Sequence, residues 1–154
     1  MDDLHIRPAD AGDLPEIVAL LADDPLGAAR ESPDDLALYR RAFDRIADDP
    51  NQYQAVAERN GRVVGTLQLT IIAGISRRGA TRSVIEGVRV HADERGSGLG
   101  TRLIQWAIDE SARQGCQLVQ LTSDATRTDA LRFYERLGFV ASHVGFKLSL
   151  ETGS

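Results

Sequence analysis

Midway along this chain a strand-like run passes into closely spaced glycines, and a helical pattern begins at once. The segment reads Glu86-Gly87-Val88-Arg89-Val90-His91-Ala92-Asp93-Glu94-Arg95-Gly96-Ser97-Gly98-Leu99-Gly100-Thr101. Arg82 to His91 favours a strand. From Gly98 to Gln114 the period is helical, with Leu99, Leu103, Trp106, Ala107 and Ser111 on one face and Gly115 as the stop. Glycines let a backbone turn sharply and meet a ligand with no Cβ in the way. The first amides of the new helix have no intrahelical partners and sit at the positive end of its dipole. Such a loop can hold a phosphate or diphosphate, and Arg95 adds a fixed positive charge. A plain helix-capping turn would use the same residues. Two commoner phosphate loops are excluded. The Walker pattern needs Gly-Lys-Ser/Thr, and the only lysine is Lys147. The dinucleotide fingerprint needs a glycine where Thr101 stands, on a strand that opens the fold.

The rest of the chain supplies a frame for that segment. Leu4 to Pro8 is a strand candidate. Asp13 with Glu16 forms a capping-box pattern, with Pro15 in the first turn of a helix carrying Ile17, Val18, Leu20 and Leu21. Asp23-Asp24-Pro25-Leu26-Gly27 breaks it. Ser32 as cap and Pro33 at the first helical position restart a helix through Leu36, Tyr39, Arg40, Phe43 and Ile46, which Asp49-Pro50 stops. Tyr53 to Arg59 and Arg62 to Ile75 are strands joined by Asn60-Gly61, a dipeptide suited to a turn with positive φ at both residues. Leu118 to Thr122 is a short strand. Ala130, Phe133, Tyr134 and Leu137 mark a last helix ending at Gly138, and Phe139 to Leu150 supplies the closing strand or strands. The order is β-α-α-β-β-β-α-β-α-β, a mixed sheet flanked by helices and so α/β or α+β in class.

With 154 residues and no linker, repeat or low-complexity segment, one domain is expected over residues 1–154. The charge is −5, from 18 basic and 23 acidic residues, which argues against a general nucleic-acid binder. No run approaches the ~20 apolar residues that a membrane-crossing helix needs. Met1-Asp2-Asp3-Leu4-His5 lacks the basic and apolar regions of a secretory leader, so a cytoplasmic location is expected. Cys116 is the single cysteine, and burial as a packed thiol suits it better than nucleophilic chemistry. His5, His91 and His143 lack metal-ligand spacing, so no metal is expected. Arg77, Arg78 and Arg82 flank a hairpin loop and read as a solvated turn.

Two motifs then stand in order along the chain. Val88-Arg89-Val90 precedes Arg95, Gly98 and Gly100, an Arg-x-x-Gly-x-Gly pattern. Downstream runs Ala130-Leu131-Arg132-Phe133-Tyr134-Glu135-Arg136-Leu137-Gly138-Phe139, with an Ala, then Phe-Tyr, then Gly-Phe. On these residues the chain resembles the GNAT superfamily of acyl-CoA-dependent N-acetyltransferases over nearly its whole length. The resemblance implies acetyl-CoA as the acyl donor and an amine acceptor, in a GNAT-like, mostly antiparallel sheet. It implies that backbone groups of Val88 and Val90 pair with the pantetheine amides, and that amides of Arg95, Gly96, Ser97, Gly98, Leu99, Gly100 and Thr101 hold the diphosphate. It also makes a homodimer an expectation. Asp129 departs from the pattern, because many members carry Asn there and a carboxylate cannot donate the same hydrogen bond.

Acyl transfer from a thioester to an amine needs a base for the ammonium, a donor for the oxyanion and an acid for the thiolate. Glu86 is the candidate base. By strand alternation it shares a side with Val84, Val88 and Val90, a costly placement for a carboxylate unless that side opens into a cleft. Partial burial would raise its pKa toward a useful range, whereas a solvated or salt-bridged strand glutamate needs no such role. By resemblance Tyr134 is the candidate acid and also a candidate cofactor contact; helical spacing alone would make it a core aromatic. The amide of Val88 is implied as the oxyanion donor. Asp23, Asp24, Glu31, Asp34 and Asp35 cluster about the first helices and suit either capping or a cationic acceptor. A non-catalytic acyl-CoA-binding module is the alternative function, keeping Arg95 to Gly100 without needing Glu86 or Tyr134.

Overall fold

The structure is a computed structural model that describes residues 3–150. It divides into two compact units, one ending at Leu121 and the other beginning at Thr122. In the first unit lie β1 (His5–Pro8), a 3-10 turn (Ala11–Asp13), α1 (Leu14–Ala22), α2 (Pro25–Arg30), α3 (Leu36–Ala47), β2 (Gln52–Arg59) and β3 (Arg62–Ile72). A single helical turn (Ser76–Gly79), β4 (Arg82–Val90), a second 3-10 turn (Ala92–Glu94), α4 (Leu99–Arg113) and β5 (Leu118–Leu121) follow. The second unit holds α5 (Thr128–Arg136).

The five strands lie in sequential order. β1 to β4 pair antiparallel, and β5 joins β4 in parallel, an α/β mixed and mostly antiparallel sheet flanked by helices. Asn60 and Gly61 turn the β2–β3 hairpin with φ of 54° and 78°, the conformation their sequence calls for. β3 alternates, with Leu67 and Leu69 wholly buried on one side and Gln68 and Thr70 half-buried on the other. α4 covers the leucine side with Leu99, Leu103, Ile104 and Ala107, all buried. Gly65 makes that approach feasible, since a Cβ there would stand 2.8 Å from Leu103 Cδ1. Beside it the Ser83 and Ser111 hydroxyls share a buried hydrogen bond of 2.7 Å. α1 covers the other side, where Ile17 and Leu20 pack with Val56 and Val63.

Several local expectations need correction. The capping box belongs to Asp10 and Asp13 on the first 3-10 turn, and Asp13 makes no side-chain cap for α1. Its carboxylate is taken by Arg7, and Glu16 accepts from the Val63 amide instead. The Asp23–Gly27 stretch does end α1 at Ala22, and beyond the expected break it starts another helix, because Asp24 caps the Gly27 amide and Pro25 fits the first helical position. Ser32-Pro33 makes a turn rather than a cap: the Ser32 amide donates to the Tyr39 hydroxyl at 2.7 Å, and α3 begins at Leu36. Phe139 to Leu150 forms no strand among the described residues, although its alternation is that of one.

Candidate active site

β4 carries the centre of the site, and its register decides which way each residue points. Ile85 pairs with Leu69 and Glu86 with Gln68, but Arg89 pairs with Thr66 and Val90 with Gly65. Three residues of β4 thus span two of β3, so one residue is extra, and Gly87 takes it up with φ of 60°. The bulge reverses the alternation. Glu86 therefore shares its side of the sheet with Val84 and Arg89, and Val88 and Val90 face the other way, contrary to the simple parity of the sequence. Glu86 is exposed rather than partly buried.

The same strand is left open on its far edge. β5 pairs with Arg82 to Ile85 and stops at Leu121, so β4 from Glu86 to Val90 has no partner on that edge among the described strands. A row of backbone donors and acceptors is thereby available to an extended ligand with amides of its own. The Val88 carbonyl also accepts from Arg89 Nη1 at 2.8 Å, which leaves it a second lone pair.

The open edge runs into the glycine loop. The His91 amide donates to the Val64 carbonyl at 2.8 Å, and Arg59 Nε meets Glu94 Oε1 at 3.1 Å, so the loop leaves from an anchored base. Ser97 Oγ donates to the Glu94 carbonyl at 2.6 Å. Gly96 and Gly98 have φ of 83° and 87°, and a Cβ at either would meet nothing within 4 Å. Gly98 is the N-cap of α4 and supplies no side-chain cap, and the Leu99 amide has a long contact of 3.4 Å to Ser97 Oγ. Leu99 behind it is buried and fixes the helix end. These are features a diphosphate needs from backbone: positive φ, room beside two glycines, and a helix start without a side-chain cap.

On the Glu86 side the sheet is polar. Gln68 lies directly opposite Glu86, and its Nε2 donates to Gln52 Oε1 at 2.7 Å. Gln54 Nε2 donates to Thr66 Oγ1 at 2.9 Å. Gln52 and Gln54 line one wall of a cleft of about 350 Å³ whose other wall includes Phe43 and Ile46 of α3. The α1–α2 corner is tied to the bulge by an ion pair of 3.2 Å between Asp24 and Arg89, and Asp24 also caps α2. The acidic cluster noted in the sequence is thus partly structural. Neither Gln68 nor the Asp24–Arg89 pair was singled out from the sequence. The signal for the first was present, since Thr66, Gln68 and Thr70 alternate with Leu67, Leu69 and Ile71.

Tyr134 belongs to the second unit, on α5. Its ring meets Phe133 and Phe139 edge-on, with centroids 5.1 and 5.9 Å apart. Asp129, in the first turn of α5, lies 3.8 Å from Arg132. Among the described residues no group of three or more His, Cys, Asp and Glu is placed to hold a metal ion. Among the described residues no helix is long and apolar enough to cross a membrane. Burial raises the pKa of the Cys116 thiol, which disfavours its reactive thiolate.

Residues 14–139 match the model of the acetyltransferase (GNAT) family. The chain belongs to this family. Aminoalkylphosphonate N-acetyltransferase of Salmonella typhimurium is 34% identical to it over 116 residues, 75% of each chain. L-methionine sulfoximine/L-methionine sulfone acetyltransferase of Pseudomonas aeruginosa is 30% identical over 142 residues, covering 89% of this chain and 80% of that one. The crystal structure of a transcriptional regulator from Bacillus halodurans C-125 is 46% identical with a TM-score of 0.93, covering 96% of this chain and 99% of its own. The chain is accordingly an acyltransferase with a GNAT fold, from a family whose donor is acetyl-CoA.

Proposed function

We propose that this GNAT enzyme moves the acetyl group of acetyl-CoA directly onto the primary amine of a small polar molecule. The observation that carries the reading is the open β4 edge from Glu86 to Val90, continuous with a glycine loop at a helix start. In this reading Val88 and Val90 pair with the pantetheine amides, and backbone amides from Arg95 to Thr101 hold the diphosphate. Glu86 takes a proton from the acceptor ammonium, directly or through one water, and the freed amine attacks the thioester carbonyl carbon. The Val88 amide donates to the oxyanion. When the C–S bond breaks, the Tyr134 hydroxyl donates a proton to the departing thiolate, and the second proton shed by the acetylated nitrogen passes through solvent to reprotonate Tyr134. The polar floor of Gln52, Gln54 and Gln68 beside Glu86 favours a hydrophilic acceptor over an aromatic one, and relatives named for aminoalkylphosphonates and for methionine sulfoximine fit that choice. Pairing of two copies into a homodimer is part of the reading, on resemblance to the family.

Thiol release from acetyl-CoA with a panel of amines tests it. Aminoalkylphosphonates and amino-acid analogues are expected to turn over, and arylalkylamines to be poor. Glu86→Gln should lower kcat/KM by roughly 10²–10⁴-fold. Tyr134→Phe should lower kcat with acetyl-CoA affinity kept. Saturable acetyl-CoA binding without turnover on any amine would instead identify a binding module.

A further inference from the structure

Gln52, Gln54 and Gln68 share the Glu86 side of the sheet, and the hydrogen bonds among them run in one direction. Gln54 pairs across the strands with Gln68, and Gln68 with Glu86. Side chains directly opposite on antiparallel strands have Cβ atoms about 5 Å apart. An amide side chain can present either its oxygen or its nitrogen, so a chain of amides has two possible directions. Asp49 settles the direction. It lies in the turn from α3 into β2, where its Oδ1 accepts from the Asn51 amide at 2.9 Å and its Oδ2 from Gln52 Nε2 at 3.2 Å. The Gln52 amide closes that turn on the Asp49 carbonyl at 3.1 Å. A carboxylate only accepts, so Gln52 gives it the nitrogen and keeps its oxygen for another donor. That donor is Gln68 Nε2, at 2.7 Å. Gln68 Oε1 is left over, with no hydrogen-bond partner among the described residues. Gln54 repeats the pattern from a different anchor. The Thr66 hydroxyl donates to the Ala55 carbonyl at 2.7 Å, so it accepts from Gln54 Nε2 at 2.9 Å, and the same nitrogen donates to the Leu67 carbonyl at 3.3 Å. Two separate anchors thus leave carbonyl oxygens, and not nitrogens, in line with the Glu86 carboxylate.

We propose, resting on the reading of Glu86 as base, that Gln68 Oε1 binds the amine of the acceptor, and that Asp49 and Gln52 are positioning residues that keep this oxygen rather than the amide nitrogen turned toward it. Gln68 stands between β2 and β4, and its nitrogen is committed to β2, so its oxygen leaves on the side of Glu86. The acceptor arrives as an ammonium. One N–H gives its proton to Glu86, and a second is held by Gln68 Oε1. The neutral amine keeps that bond while its lone pair forms the N–C bond. Positive charge then returns to nitrogen in the tetrahedral adduct, so the bond to Gln68 becomes stronger than in the free amine. An outward amide nitrogen would do the reverse and set donor against donor. All the residues of this relay, from Asp49 to Glu86, lie within the first unit.

Substitutions at the two ends of the relay test it. Gln68→Met, similar in size but without the oxygen, should lower kcat/KM for the amine by roughly 10–100-fold, the loss of one hydrogen bond to a charged group. The dissociation constant of acetyl-CoA should stay unchanged and serves as the control for folding. Asp49→Asn keeps an oxygen for the Asn51 amide and sets a nitrogen against Gln52. Gln52 and Gln68 should then both turn over, nitrogen outward, and lower the same constant although two side chains stand between Asp49 and the amine. Gln68→Glu in the Asp49→Asn background restores an acceptor-only group at position 68 and should recover most of the lost activity, which no general loosening of the fold would do. Side-chain amide NMR resonances of Gln52 and Gln68 should move together in Asp49→Asn while those of Gln54 stay. Unmoved resonances, full activity in Asp49→Asn, or a double variant no better than Asp49→Asn overturns the relay. Full activity in Gln68→Met, with Glu86→Gln still impaired, overturns the contact and leaves the base in place. Full activity in Glu86→Gln overturns the base reading and the contact with it.

Discussion

Asp13 holds the N-terminal strand to the first helical turn with a single carboxylate. Arg7 Nη1 and Nη2 donate to its two oxygens at 2.8 and 2.9 Å, and the Asp10 amide adds a bond of 2.8 Å. The Arg7 hydrogen bonds hold its carboxyl below the usual carboxylate range, against the desolvation of a side chain that is buried. A carboxylate whose pKa is lower folded than unfolded stabilises the fold fully above its unfolded value near 3.9, and the contribution fades as pH falls through the folded value. Asp13→Asn should therefore cost about 2–3 kcal/mol in urea unfolding at pH 7. The cost should shrink below pH ~4, where wild type loses the same contribution. Sequence spacing pointed to Asp13 as a structural residue and named the wrong partner for it. Arg7 sits six positions away on a strand, and only the folded corner brings the two together.

The element on which the proposed chemistry turns is β4, and its irregularities matter more than its length. An unbroken strand would have put Glu86 on the side of Val88 and Val90, and the Gly87 bulge turns it toward Arg89 and Gln68 instead. A lone Gly in a strand pattern signals a bulge, but pairing register alone fixes which residues change sides. The glycine loop was legible in full because its cause is local: positive φ needs Gly, and Leu99 begins the buried helical face. Gly98→Ala tests that reading. Ala at φ of 87° should cost about 1–2 kcal/mol of stability, although its Cβ meets no atom within 4 Å. By reorienting the first amides of α4 it should raise the KM for acetyl-CoA at least tenfold while changing the amine KM little. Equal changes in both constants would mean that the loop serves only as a cap.

At the scale of the whole chain, order and class of the sheet were legible from alternation, hairpin residues and helix stops. Short elements were not, because Pro25 and Ser32-Pro33 suit a helix start and a break equally well until Tyr39 or Gly27 supplies the hydrogen bond. The closing strand expected over 139–150 is not formed among the described residues, because alternation specifies a strand's faces but not what completes its ladder. In the proposed donor site an acidic protein meets a polyanion through a few amides and Arg95, so binding the donor should stabilise the fold through one loop. Acetyl-CoA at a hundred times its dissociation constant contributes about 2.7 kcal/mol by mass action. For a chain of 154 residues that is a rise in Tm of roughly 5–10 °C, read by differential scanning fluorimetry. Gly98→Ala at the same donor concentration should show a clearly smaller rise. An equal rise in both proteins would place the donor's grip outside the glycine loop.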